Sequence, residues 1–332
     1  MQYFRITSQN TKNVLKLEQL YQPKVLNTVK ILLLAVTIVF IFYKLLFAYH
    51  LPEQFSKVDI VWSNSKFLLL FFVILLMFLN WTIEASKWKL LINKYEHISF
   101  VNSLKAVVTG IALSIITPNQ IGDFVGRIVH LKTFNKIKGT LVTVIGHTAQ
   151  VIMTIAFGLF AFIWLFNFLG KIDNQLSVIL YAISVILIVI SVFLFMNIQL
   201  IGKIPVSVKI HSYLQVFENY TKNELFKVIG FSFFRYLIFV IQYYLLLEFY
   251  NVNLQPVEAF CCIIATLCAQ SFVPSFLLIE LGMRGASALF FFTIFTPQTP
   301  NILLSAYTLW IINLMIPSFY GLYSIILLRI KK

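Results

Sequence analysis

The sequence predicts an all-α fold, a polytopic bundle of transmembrane helices, and three observations carry that prediction. Of the 332 residues, 60% are hydrophobic and only 11% charged, against about 25% charged in soluble domains. The apolar residues fall in runs of about 20 or longer, the length that crosses hydrocarbon as a helix. A membrane barrel would instead show short alternating segments. The basic residues fall between the runs, and mean hydropathy is +0.88.

Residues 1–27 are polar and basic, with Arg5, Lys12, Lys16 and Lys24. They lack the apolar core and small-residue cleavage site of a secretory signal. A basic cytoplasmic N-terminal segment is therefore expected. A single transmembrane domain is expected over 28–328, with a basic tail at 329–332. Full spans are expected at 28–48, 67–86, 140–168, 176–198, 225–250 and 301–328. Two further apolar stretches, 104–118 and 258–296, are broken by proline, glycine and charge.

Loop charge orients these elements. The 49–65 loop is nearly balanced, with Lys57 against Glu53 and Asp59, and the 169–175 loop holds only Lys171 and Asp173. By contrast, Lys87, Lys89, Lys94 and Lys105 follow the second span, Lys203, Lys209 and Lys222 precede the fifth, and the chain closes on Arg329, Lys331 and Lys332. With both termini cytoplasmic, every strongly basic loop falls on the cytoplasmic side of the inner membrane. The net charge of +14 is thus explained by topology and anionic lipid headgroups, not by nucleic acid.

The two broken stretches follow from the same orientation. Segment 106–118 has basic flanks on both sides. Its 13 or so residues make only about 20 Å of helix, short of a core of about 30 Å. It is expected to enter and leave from the cytoplasm as a re-entrant hairpin. Region 258–296, broken at Pro274 and at "IELGMRGAS", is expected to enter and leave from outside, as a re-entrant pair or as a complete hairpin. Interrupted segments in corresponding positions, opening to opposite sides, point to an inverted-repeat transporter. No residue-level repeat accompanies them, so that expectation rests on topology alone.

Charged residues in and beside these breaks are the candidate substrate-binding groups. Broken helices expose backbone groups that must be buried in protein or face a wet cavity. Helix N-termini near Asp123 or Leu281 would suit an anion such as phosphate, and Arg127 and Arg284 would add forked, charge-assisted hydrogen bonds. Asp123 with Arg127, and Glu280 with Arg284, are spaced i, i+4, which also suits a plain helix-surface ion pair. Arg235 sits about ten residues into a span, where charge is costly and faces a partner or cavity, or else snorkels to the headgroups. Gln242 shares its face. His147, Gln150 and Asn313 read first as structural polar groups, and Glu84 and Lys87 as markers of the membrane interface. Pro118, Gly122, Gly126, Pro274, Gly282 and Gly285 are the expected turn and close-packing positions. Cys261, Cys262 and Cys268 share one apolar segment and read as small buried residues. No metal or cofactor is expected. Enzyme motifs are missing, and no polar segment exceeds about 30 residues, short of the 50 or more of a catalytic domain.

Two motifs together resemble a known family. "TPNQIGDFVGRIVHL" is similar to the Pro-x-x-x-Gly-Glu-x-x-Arg signature of the lysylphosphatidylglycerol synthase transmembrane-region family, with Asp123 in place of Glu. "VPSFLLIELGMRGASALFF" resembles its second, Gly-rich signature. Here Gly285 stands where Glu is usual, and Phe276 and Leu277 replace small glycines. After the first motif, "IGHTAQ" stands where charges are common. The resemblance implies a membrane protein that handles lipid headgroups by moving lipids between leaflets. It also implies no aminoacyl-lipid synthase activity in this chain, because that activity belongs to a separate soluble domain. The expected function is a lipid flippase with anionic membrane lipids as partners. The alternative is a non-transporting accessory subunit for an envelope-lipid or polyprenyl-glycan enzyme.

Overall fold

A computed structural model of the chain describes residues 62–117, 121–203, 207–272 and 277–330. The expected N-terminal segment, the span at 28–48, Pro118, Pro274 and the last two residues lie outside the described residues. The described chain is helical throughout. In order it forms α1 (Asn64–Ile92), α2 (Phe100–Ile116), α3 (Ile121–Ile128), α4 (Lys136–Phe168) and α5 (Asn174–Met196). Two short helices follow, α6 (Gln199–Gly202) and α7 (Val208–Leu214), and then α8 (Lys222–Phe249). The last elements are α9 (Pro256–Ser271), α10 (Leu277–Phe292), α11 (Thr299–Trp310), a π-turn (Ile311–Met315) and α12 (Ile316–Ile330).

Local sequence explains where these helices begin. The first orphan N–H groups of a helix need acceptors, and polar side chains supply them. Ser63 accepts from Lys66 N, Ser99 from Asn102 N, Asn135 from Ile137 N and Asp173 from Leu176 N. Thr221 and Glu224 close a reciprocal capping box at α8. Pro256 and Pro300 stand in the first turns of α9 and α11, where a missing N–H costs nothing.

Among the described residues, α1, α4, α5 and the stretch from Thr299 are long and apolar enough to cross a membrane. Helix α8, with 28 residues, is about 42 Å long at 1.5 Å per residue. Phe67, Phe71, Leu75 and Phe78 on α1, and Val178, Ile186, Val189 and Phe193 on α5, are exposed. Their side chains suit lipid, and the polar residues turn inward. Several helices of this length and apolarity make this a multi-pass membrane protein.

The loops meet at two ends. At one, the Glu96 carboxylate accepts from the backbone N–H groups of Lys132, Thr133 and Phe134 at 2.9–3.1 Å. The Thr133 hydroxyl donates to it as well. Tyr95 donates to Val216 O and Tyr220 to Leu91 O. The turns after α1 and α3 and before α8 therefore lie together. At the other end, Gln298 bonds Asn251 O and Asn253 N, Asn301 bonds Tyr250 O, and Phe168 packs on Phe295. Lys89, Lys94, Lys132, Lys136, Lys138, Lys203 and Lys222 belong to the first end, and Lys66 and Lys171 to the second.

The two broken stretches are helical hairpins that open to opposite ends. In the first, Thr109 meets His130 near the mouth and Gly122 N donates to Thr117 Oγ1 near the tip, so α2 and α3 run antiparallel. A Cβ on Gly126 would lie 2.5 Å from Gly110 Cα, so the backbones touch only because both residues are glycine. In the second, Cys262 meets Phe291 O near the mouth, and Gln270 meets Ser287 toward the tip. Helices α2, α9 and α10 have 17, 16 and 16 residues. Each is about 24–26 Å long, short of a full crossing. The first hairpin starts and returns at the basic end, the second at the other.

The Glu96 clasp gives a pH prediction. Burial would raise its pKa, but the hydrogen bonds from Lys132, Phe134 and Thr133 hold it down, from 4.5 to about 2. A depressed carboxylate stabilises the fold above its unfolded pKa and loses that contribution as pH falls through the folded value. Glu96→Gln is expected to lower the melting temperature in detergent at pH 7. The difference from wild type should shrink between pH 4.5 and 2, the two values that bound the shift. A variant gap independent of pH would contradict this.

Candidate functional site

Glu84 is the centre of a buried ion network. It sits eight residues before the end of α1, about 12 Å inside the basic end at 1.5 Å per residue, and is 3% exposed. Its Oε1 accepts from Arg127 Nη1 at 2.8 Å. Its Oε2 accepts from Lys87 Nζ at 2.8 Å and from Arg235 Nη1 at 2.9 Å. One carboxylate thus joins α1, α3 and α8. Lys87, 1% exposed, spends its remaining donors on Gly146 O at 3.3 Å and Ser232 Oγ at 3.5 Å.

Asp123 is the second carboxylate. Arg127 grips it in a fork, Nε to Oδ1 at 3.0 Å and Nη2 to Oδ2 at 3.0 Å. His147 on α4 meets the same Oδ2 through Nε2 at 2.7 Å; an ionised carboxylate only accepts, so Nε2 carries the proton and donates. Arg235 Nε donates to Asn80 Oδ1 at 2.8 Å, and Asn80 Nδ2 to Asn313 Oδ1 at 3.3 Å. Asn313 lies in the π-turn, a departure from α-helix that recurs at functional sites.

This network forms one wall of a cavity of about 570 Å³. Glu84, Asp123, Arg127, His147 and Arg235 line it. Gln270, Met283 and Arg284, from the closed end of the second hairpin, line it as well. Arg284 Nη1 reaches Gln270 Oε1 at 3.4 Å. The exposures divide the arginine roles. The Arg127 side chain is 5% exposed with all three nitrogens engaged, whereas that of Arg235 is 21% exposed. Among the described residues, three cations share two carboxylates in the network, and Arg284 also lines the cavity. The arrangement suits an anion of headgroup size. Among the described residues, no three His, Cys, Asp or Glu side chains stand together as a metal site.

The structure therefore brings Asp123, Arg127, Arg235 and Arg284 to one cavity. Glu280 lies in α10, and its side chain is outside the described residues. Gly122 packs on the Leu113 carbonyl and Gly126 on Gly110. A side chain at Gly285 would run into the Tyr307 hydroxyl; Gly282 is a half-buried position of α10. The surface-pair reading of Asp123 and Arg127 is half right: the i, i+4 bond forms, but it is buried. Arg235 does not snorkel; it turns to Glu84 and Asn80. Gln242 is buried and donates to Val73 O at 2.9 Å. Glu84 and Lys87 are not interface markers, because α1 continues to Ile92 and carries them inside. That Trp88, Leu91 and Ile92 extend the apolar face past them was the available signal. Asn80, inside an apolar run, was overlooked.

A family model described as the lysylphosphatidylglycerol synthase TM region matches residues 27–320. Comparison with curated proteins and with solved structures gave no match.

Removing one partner of a buried ion pair leaves an uncompensated charge, at a cost of about 3–5 kcal/mol, whereas exposed pairs are worth about 1 kcal/mol or less. Glu84→Gln, which strands Arg127, Lys87 and Arg235, is expected to lower thermal stability in detergent several times more than Lys94→Ala. The latter breaks the more exposed Lys94–Glu224 pair. Equal losses would contradict the central place of Glu84.

Proposed function

Because the chain belongs to the lysylphosphatidylglycerol synthase transmembrane-region family, and is a membrane protein of lipid handling, we propose that it is a flippase for lipids with anionic headgroups. The observation that carries this reading is the shared cavity. Hairpins opening to opposite ends both contribute to it, and among the described residues more cations than carboxylates line it. In the proposed mechanism the lipid phosphate enters between Arg235 and Arg284, while its acyl chains stay in the bilayer. Arg127, held by Asp123 and Glu84, keeps the frame rigid and supplies positive potential. Alternating access arises when one hairpin shifts against the other, so that the same headgroup site faces each leaflet in turn. The basic end faces the cytoplasm of the inner membrane, as lysine-rich loops favour.

A leaflet-sidedness assay in proteoliposomes containing labelled phosphatidylglycerol tests this. Wild-type protein is expected to move lipid faster than protein-free vesicles. A charge-assisted hydrogen bond is worth about 1.5–3 kcal/mol, so Arg284→Ala and Arg235→Ala should each slow transfer by about tenfold or more. No transfer above protein-free vesicles, or wild-type rates in both variants, would overturn the proposal. Stable co-purification with an envelope-lipid enzyme, without transfer, would favour the accessory-subunit reading.

A further inference from the structure

The polar wall contains a titratable group that electrostatics alone does not require. His147 projects from α4 onto Asp123, its side chain 36% exposed, far more than the carboxylates and Arg127 beside it. Imidazole is the side chain whose charge changes most readily near neutral pH. It lines the cavity and is more exposed there than Arg235, at 36% against 21%.

We propose that His147 couples protonation to anion binding, so that the site takes up a proton together with its lipid phosphate. This rests on the phosphate reading of the cavity. In the empty state Nε2–H donates to Asp123, so an incoming proton goes from cavity water to Nδ1. The imidazolium adds a positive charge to the wall and competes with Arg127 for the Asp123 carboxylate. Both effects strengthen the attraction for an anion. When the anion leaves, the proton returns to water. Linkage is reciprocal: if protonation favours the anion, the anion favours protonation by the same factor.

The groups that face His147 come from every element packed around it. Asp123, Arg127 and the Phe124 ring lie on α3, the ring at a centroid distance of 5.1 Å. Glu84 and Lys87 belong to α1, Arg235 to α8, and Arg284, on α10, lines the same cavity. Two carboxylates, Asp123 and Glu84, and four cations surround the ring. An anion arriving among those cations offsets part of their charge, and that is the proposed origin of the coupling. Such a site would let a transmembrane proton gradient drive the lipid in one direction.

Calorimetric titration of purified protein in detergent tests this with short-chain phosphatidylglycerol and its deacylated headgroup, glycerophosphoglycerol. Each is titrated in buffers of different ionisation enthalpy, which reports protons taken up per ligand bound. Wild type is expected to take up a fraction of a proton near pH 7. Its affinity should fall as pH rises, by at most about tenfold per unit for one linked proton. His147→Gln, which keeps an N–H donor for Asp123 but does not titrate, is expected to bind with no uptake and a flat pH profile. Uptake with both ligands assigns the coupling to the phosphodiester alone; uptake with only the lipid assigns the acyl chains a part in binding. Binding without uptake in wild type, or uptake persisting in His147→Gln, overturns the inference. Absence of binding by either ligand instead removes the phosphate reading beneath it.

Discussion

The Glu84 carboxylate is the constraint on which the interior depends. Ionised groups are costly to withdraw from water, and a buried pair repays that cost only with good geometry and full hydrogen bonding. Here each oxygen has charged donors, Arg127 on one and Lys87 with Arg235 on the other. The contacts fix the position of α1 against the first hairpin and against α8. Asp123 extends the network through His147 to α4. Removing Glu84 leaves three cations, Arg127, Lys87 and Arg235, short of a partner.

Small residues make that network reachable. The glycine contact between Gly110 and Gly126 presses α3 onto α2, and on the short α3 this aims Asp123 and Arg127 inward instead of at lipid. Backbone breaks are tolerable at membrane depth only where protein or water satisfies the freed groups. Thr117 does so in part, donating to Leu113 O and accepting from Gly122 N. The second hairpin meets the network from the opposite end, so one polar cavity lies between two structurally similar but oppositely directed devices. The proposed anion site and its proposed coupling to protons rest on the cations and the histidine that line this cavity.

Much of the architecture was legible from local pattern. Long apolar runs located α1, α4, α5, α8 and the final helix, and lysine placement assigned the loops to two ends. Half-length segments with proline and glycine marked both hairpins, because insufficient length and like-charged flanks are one-dimensional properties. The site was legible only in part. Asp123, Arg127, Arg235 and Arg284 stood out as charge in apolar surroundings. Glu84 and Lys87 did not, since a helix boundary misplaced by six residues, 86 against Ile92, turns a buried pair into an apparent interface pair.

What the sequence determined by itself was therefore the helical membrane class, the broken hairpins and their opposed openings, since hydropathy, length and loop charge act along the chain. What only the tertiary structure decided was which charges meet. Glu84 finds Arg127 across 43 residues and Arg235 across 151, and Asn80 finds Asn313 across 233. No periodicity encodes such pairings. They follow from helix packing and from the need of every buried charge for a partner, a condition satisfied only when the whole bundle is assembled.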